Sequence, residues 1–272
     1  MSTMLPAPST WRLGLARGGV ELKCFFRERD AVIFTFTLPA VLLVLLGSIF
    51  TDELRDTGVT ASHIFTAGLI AGGVASTSFV NLGVGIAADR NDGTLRRLRS
   101  VPMPPAAYFV GKVILVLVAS LAEVVLLLAV GALMFDLSLP TEPARWLTCA
   151  WVFVLGVTAC ALLGIAASSL ASSSRGAGAV MNLPFLVLQF ISGIFVIPIT
   201  HLPDVLVQIG SVFPLKWMAQ GFRSVFLPDV LTEQEPAGAW EHGRVALVLA
   251  AWCIGGLVLC LTTFRWRNRR AG

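Results

Sequence analysis

This chain is short of charge. Only 13% of its 272 residues are Asp, Glu, Lys or Arg, against roughly 25% in a soluble domain. It is equally short of the groupings that carry chemistry. Gly111-Lys112 is followed by Val113, and no glycine stands five positions before Gly111. The chain therefore lacks a P-loop and is expected to hold no ATP in that fashion. HExxH and GxSxG are absent, which excludes the commonest zinc-protease and serine-hydrolase signatures. The three histidines, His63, His201 and His242, fall at or beyond the ends of apolar runs and have no ligand spacing, so no metal is expected. The five cysteines (24, 149, 160, 253 and 260) form no CxxC pair, and four lie in or beside apolar runs. They read as small hydrophobes rather than redox or metal sites.

What is present in excess is apolar sequence: 56% of residues are hydrophobic and mean hydropathy is +0.82. A membrane crossing needs about 20 apolar residues. Six runs qualify: Ala31–Phe50, His63–Ala88, Ala106–Phe135, Trp146–Ala171, Gly178–Ile199 and Arg244–Phe264. The first starts at Ala31 without an A-x-A-like site after it, so no cleaved leader is expected. Lys and Arg then decide orientation. With the N-terminus inside, the inner segments hold Arg12, Arg17, Lys23, Arg27 and Arg29, then Arg90, Arg96, Arg97, Arg99 and Lys112, then Arg175, and finally Arg265, Arg267, Arg269 and Arg270. The outer segments hold Arg55, Arg145, Lys216, Arg223 and Arg244. A split of 15 to 5 places both termini in the cytoplasm. It also accounts for the pI near 9.0 without nucleic acid. The expected fold is an all-α polytopic membrane protein with six transmembrane helices. Residues 1–30 form an N-terminal cytoplasmic segment and 31–272 a single transmembrane domain.

Three segments outside the spans have their own pattern. In residues 11–29, Trp11, Leu15, Gly18, Leu22, Phe25 and Phe26 share an arc about 100° wide at helical pitch. That predicts an amphipathic helix lying on the inner membrane face among lipids. Residues 200–228 are apolar yet cut by proline at 203, 214 and 228, with Pro198 just before. Asp204–Phe213 and Leu215–Leu227 are each too short to cross, which predicts a re-entrant helical hairpin between spans five and six. Lys216 and Arg223, at i and i+7, are expected to face headgroups or a partner copy. The third segment is "DRNDGTLRRLRSVPMPPAAYFVGK", Asp89 to Lys112. Asp92 is placed to cap a helix, Gly93-Thr94 to open it, and Leu95 and Leu98 to share a face away from Arg96, Arg97 and Arg99. Val101 precedes Pro102, so the helix should stop near Ser100.

With these residues in view, the chain resembles the type-2 ATP-binding-cassette (ABC) exporter permeases. "DGTLRRLRSVPMPPAAYFVGK" is similar to that family's cytoplasmic loop, E-x-G-T-L-E-x-L followed by a proline turn and Y-x-x-G-K. "FISGIFVIPITHLPDVLVQIGSVFPLKWMAQGFRSVFLP", residues 190–228, is similar to its S-G-x-x-x-P, L-P, P-L and terminal Arg. Arg96 stands where the family often has Glu, and Asn91 replaces an acidic residue, so the local charge is inverted. The resemblance implies a permease of the bacterial cytoplasmic membrane that moves a drug, antibiotic, lipid or glycan outward. Residues 92–100 would be the coupling helix, and residues 200–228 a gate marked by Pro198, Pro203, Pro214, Lys216 and Arg223. It further implies two separate ATPase subunits carrying ATP and Mg, no cofactor in this chain, and a second permease copy or a similar permease as partner. The rival expectation is a secondary transporter or intramembrane enzyme with no ATPase.

Glu123 lies mid-span in "VASLAEVVLLLAV". A charge there costs roughly 2.5–3.5 kcal/mol to insert and normally faces protein or water. Two roles stay open. It is a pathway residue with Asn182 and Gln189, meeting a cationic or polar substrate or a proton. Alternatively it ties helices together through Asn81, Asn182 or Gln189. Gly68 and Gly72 form GxxxG for close helix packing, and Pro184 with Ser192-Gly193 should kink span five. The orientation has a direct check. In sealed right-side-out cells, Glu233→Cys should react with an impermeant maleimide and Arg97→Cys should not; labelling at 97 would reverse the topology.

Overall fold

A computed structural model describes residues 9–51, 58–100, 104–171 and 173–263. The proline stop at Pro102, Arg55, and the basic tail of Arg265, Arg267, Arg269 and Arg270 lie outside the described residues, as do the side chains of Arg99 and Arg175. The described chain is all-helical, without strands. The helices are α1 (Thr10–Arg27), α2 (Arg29–Ile49), α3 (Ala61–Ala75), α4 (Leu82–Asn91), α5 (Thr94–Arg99), α6 (Pro105–Met134), α7 (Pro143–Ser168), α8 (Ser174–Ile191), α9 (Asp204–Val212), α10 (Pro214–Phe226) and α11 (His242–Thr263). A π-helical segment, Ser76–Asn81, joins α3 to α4.

Five helical stretches are long and apolar enough to cross a membrane: α2, the continuous Ala61–Asn91, α6, α7 and α11. Their bounds fall within a few residues of the hydropathy runs. The fifth expected span differs. α8 stops at Ile191, because Gly193 takes a left-handed φ of 72° that no L-residue adopts cheaply. Its 18 residues reach about 27 Å at 1.5 Å each, short of a hydrocarbon core of about 30 Å. Among the described residues five stretches are long enough to cross, and the fifth apolar run forms a shorter apolar helix, Gly176–Ile191.

The second span is the centre of the bundle. Its side chains are mostly buried, whereas few of those in α2 and α11 are. Phe34 and Ile49 of α2, and Leu247, Ile254 and Leu261 of α11, point outward, as lipid-facing side chains do in a solvent as apolar as they are. The amphipathic helix appears as α1, capped by Ser9, whose Oγ accepts from the Arg12 N–H. Its buried face is small: Gly14 sits on Val110 and Gly18 on Ile114 of α6, where a Cβ would stand 2.6 and 2.8 Å from those side chains. Trp11 and Leu15 are left 71% and 61% exposed, an apolar face free for the membrane interface.

The two short helices expected between the fifth and sixth runs are present as α9 and α10, of 9 and 13 residues. Proline starts each piece: Pro198 precedes the 3-10 turn Ile199–His201, Pro203 precedes α9, and Pro214 is the first residue of α10. Its fixed φ suits that place, and its missing N–H has no intrahelical partner there to lose. The expected outward face of α10 is corrected. Every residue of α10 is buried, packed on α3, α7 and α11. Arg223 Nε donates to Glu235 Oε1 at 2.6 Å and its Nη1 to the Gly193 carbonyl at 3.2 Å. Lys216 Nζ donates to Gln220 Oε1 at 2.7 Å and lies 3.7 Å from the centre of the Trp217 ring. Both are turned inward, Arg223 to an acid twelve residues downstream and Lys216 to an amide one turn away.

Burial pushes the Lys216 ammonium from 10.5 down to about 8; Glu235 pulls it back up and Arg223 adds to the lowering. The unfolded chain keeps that proton up to its ordinary value, while the folded chain releases it near 8. Between those limits the unfolded state binds more protons, so stability rises with pH. Thermal unfolding of the solubilised protein should therefore show Lys216→Met most stabilising at about pH 7, with its advantage shrinking toward about pH 10. A constant difference between variant and wild type would contradict this.

Candidate functional site

Two regions at different depths of the second span hold the candidate residues. The first is the short helix α5. Asp92 does not cap it as expected: its φ and ψ of −77° and 0° continue the turn after α4, and Gly93, at φ 75°, takes the N-cap position without a side-chain bond. The left-handed turn at Gly93 is what lets α5 start at Thr94, with only two residues between it and the end of α4 at Asn91. Leu95 and Leu98 do share a face, but that face looks into this chain. Leu95 is 1% exposed and Leu98 packs on the same core. The side presented outward carries Arg96 and Arg97. Arg97 also reaches back to the Thr94 hydroxyl at 3.3 Å.

Beside α5, four charges and a phenol close a network. Lys112 Nζ lies 3.0 Å from Glu21 Oε2 and 2.8 Å from Asp89 Oδ2. Arg17 Nη2 meets Glu21 Oε1 at 2.5 Å, and Tyr108 donates to Asp89 Oδ2 at 2.8 Å. The Arg17 guanidinium and the Lys112 ammonium lie 5.9 and 5.6 Å from the centre of the Tyr108 ring. Two cations face two carboxylates, so the cluster is formally neutral. It binds α1, the end of α4 and the start of α6 into one unit, with α5 strung between the last two. Such a buried set holds only while every member is paired.

The second region is a cavity of about 540 Å³ between α2, α3 and α8, walled by Pro39, Leu42, Gly73, Ser76, Asn182 and Gln189 among others. Most of the wall is apolar and a few polar groups converge on it, the usual composition of a small-molecule site. Asn182 and Gln189 both line it. Asn182 Nδ2 is engaged with the Gly178 carbonyl of its own helix, which leaves its Oδ1 as an acceptor. Glu123 does not line the cavity. It is 1% exposed, and its Oε2 accepts from Thr77 Oγ1 at 2.9 Å. None of the expected partners holds it. Asn81 donates instead to Thr35 Oγ1 at 3.2 Å.

Among the described residues no three His, Cys, Asp or Glu side chains gather as a metal site. His63 Nε2 is 2.8 Å from the Phe135 carbonyl and His242 Nε2 is 2.9 Å from Ser224 Oγ, which ties both to the fold.

Comparison with known families gives a match over residues 19–227 to the ABC-2 type transporter membrane domain. The chain belongs to the ABC-2 type transporter family. A weaker relative is YvfS of Bacillus subtilis (strain 168), a protein named as a transport permease, 20% identical over 194 residues that cover 71% of this chain and 77% of that protein. The chain is therefore a multi-pass membrane permease of the ABC-2 type.

In this ABC-2 permease, sequence reasoning missed the ion cluster, because Glu21 and Lys112 are 91 residues apart. One signal was available. Gly14, Gly18 and Glu21 recur at four and three residues on α1, a small-residue stripe ending in an acid, which marks a face that packs closely and must satisfy a charge. Lys112→Met should strand both Glu21 and Asp89, at roughly 3–5 kcal/mol for a broken buried pair. Adding Glu21→Gln should recover part of that loss. Thermal unfolding of the two variants checks it: equal losses would mean the cluster is not coupled.

Proposed function

We propose that this ABC-2 permease is the membrane subunit of an ATP-driven exporter that moves a hydrophobic or amphipathic substrate, such as a drug, antibiotic, lipid or glycan, out across the cytoplasmic membrane. The observation that carries this reading is the pairing, along one span, of the apolar cavity at α3 with the exposed basic end at α5. Substrate enters the cavity from the bilayer and is held by apolar contact, with Ser76, Asn182 and Gln189 orienting its polar end. The outer hairpin α9–α10 stands over the exit as the gate. Both termini lie in the cytoplasm, so α5 faces the compartment that holds ATP.

Residues 92–100 act as the coupling helix, docking on a separate ATPase subunit that carries ATP and Mg. Arg96 and Arg97 make the contact, and Leu95 and Leu98 pass its displacement into the chain's own core. This reverses the division of labour expected from the two-leucine pattern. The ion cluster makes α1 and α6 follow α5. Two copies of the permease, with two ATPases, enclose the pathway between them.

A tagged chain purified from its native membrane should bring down Mg-dependent ATP hydrolysis. Arg96→Glu with Arg97→Glu should leave the permease inserted but reduce that activity by about tenfold or more, since like charges set against each other cost several kcal/mol. Leu186 stands in the cavity wall, so Leu186→Trp, which narrows the cavity, should weaken binding of Nile red by the purified chain. No ATPase with the wild type would return the chain to the secondary-transporter reading. Unchanged dye binding would dismiss the cavity.

A further inference from the structure

The second span runs unbroken from Ala61 to Asn91 but changes pitch at Ser76–Asn81, where it is a π-helix. A π turn is rare, appears mostly as a single turn within an α-helix, and is frequent at functional sites. Three neighbouring helices hold this one. Glu123 of α6 accepts from the Thr77 hydroxyl at 2.9 Å. The Phe79 carbonyl packs on Gly164 of α7, where a Cβ would stand 2.6 Å from that oxygen. Asn81 donates to Thr35 of α2 at 3.2 Å. Glu123 also fills the space beside Gly73, where any Cβ would overlap its carboxyl. Gly73 and Ser76 are at the same time cavity wall, which Glu123 is not.

We propose that Glu123 is a positioning residue that keeps the second span in its π turn, and through that turn sets which side chains of the span face the cavity. A π turn carries one residue more than an α turn. Losing it rotates the helix before it against the helix after it by about 100°, which carries Ser76 out of the wall. The carboxyl of Glu123 acts on the cavity from behind the backbone of Gly73, without touching what the cavity holds. The consequence for ligand binding rests on the cavity being the substrate site; the rotation itself does not.

The test is the reaction of N-ethylmaleimide with Ser76→Cys in the full chain, with the five native cysteines replaced, in lipid nanodiscs. Glu123→Leu and Thr77→Val should each slow labelling, by up to about threefold, the factor that a typical side-chain hydrogen bond in a membrane contributes to the equilibrium. The two together should slow it no further than either alone, because they break one interaction. Glu123→Gln still accepts from Thr77 and should label at the native rate. Mere loosening of the bundle would speed labelling instead, so an unchanged or faster rate in Thr77→Val, which keeps the side-chain shape, overturns the proposal. Leu186→Trp reports on the cavity alone: dye binding that it does not weaken, beside slowed labelling in Thr77→Val, would leave the rotation standing and remove the cavity reading.

Discussion

Hydrocarbon offers no hydrogen bonds, so each polar group at membrane depth must be satisfied within the protein. Most of the architecture follows from how this chain meets that demand. Glu123 is satisfied by Thr77, Arg223 by Glu235 and the Gly193 carbonyl, and Lys112 by Glu21 and Asp89. Each pair joins separate elements, two of them distant in sequence, so polar satisfaction and tertiary packing are the same contacts. Apolar packing alone would hold such a bundle weakly, because lipid tails solvate leucine as well as protein does. Close approach at glycines adds the rest, as where α1 lies on α6.

How much of this was legible depends on range. Five of the spans, the amphipathic α1 and the two proline-started short helices came straight from hydropathy, helical period and proline placement, all local properties. Leu95 and Leu98 were correctly put on one face of α5, but period does not say whether a face looks toward a partner or back into its own chain; the core answers that. The same limit misplaced Lys216 and Arg223. Their i and i+7 spacing was right, and their direction depended on Glu235 and Gln220. The π turn left no trace in the sequence, since Ser76–Asn81 is compatible with an ordinary helix and its pitch is set by Thr77, Phe79 and Asn81 meeting three other helices. Asp92 failed as a cap because Gly93 supplied the turn first.

The placement of these contacts orders the proposed mechanism. Force applied at Arg96 and Arg97 reaches the core through Leu95. Asp89, Tyr108 and Lys112 lie on either side of α5 in sequence and bind α4 to α6, while Glu21 and Arg17 add α1. A push on α5 is therefore shared by three helices rather than absorbed by one loop. The second span carries it upward to the π turn, the one place in that span where pitch is not fixed by α-helical bonding, and the cavity wall sits directly beyond.

In the proposed mechanism α5 moves with α1 and against the cavity wall. Spin labels on the permease in complex with its co-purifying ATPase measure this directly, one pair at positions 12 and 100 and a second at 100 and 186. Addition of Mg-ATP should leave the distance between 12 and 100 unchanged and shift the distance between 100 and 186. A change in the first distance with none in the second would mean that α5 moves alone, and would contradict the account.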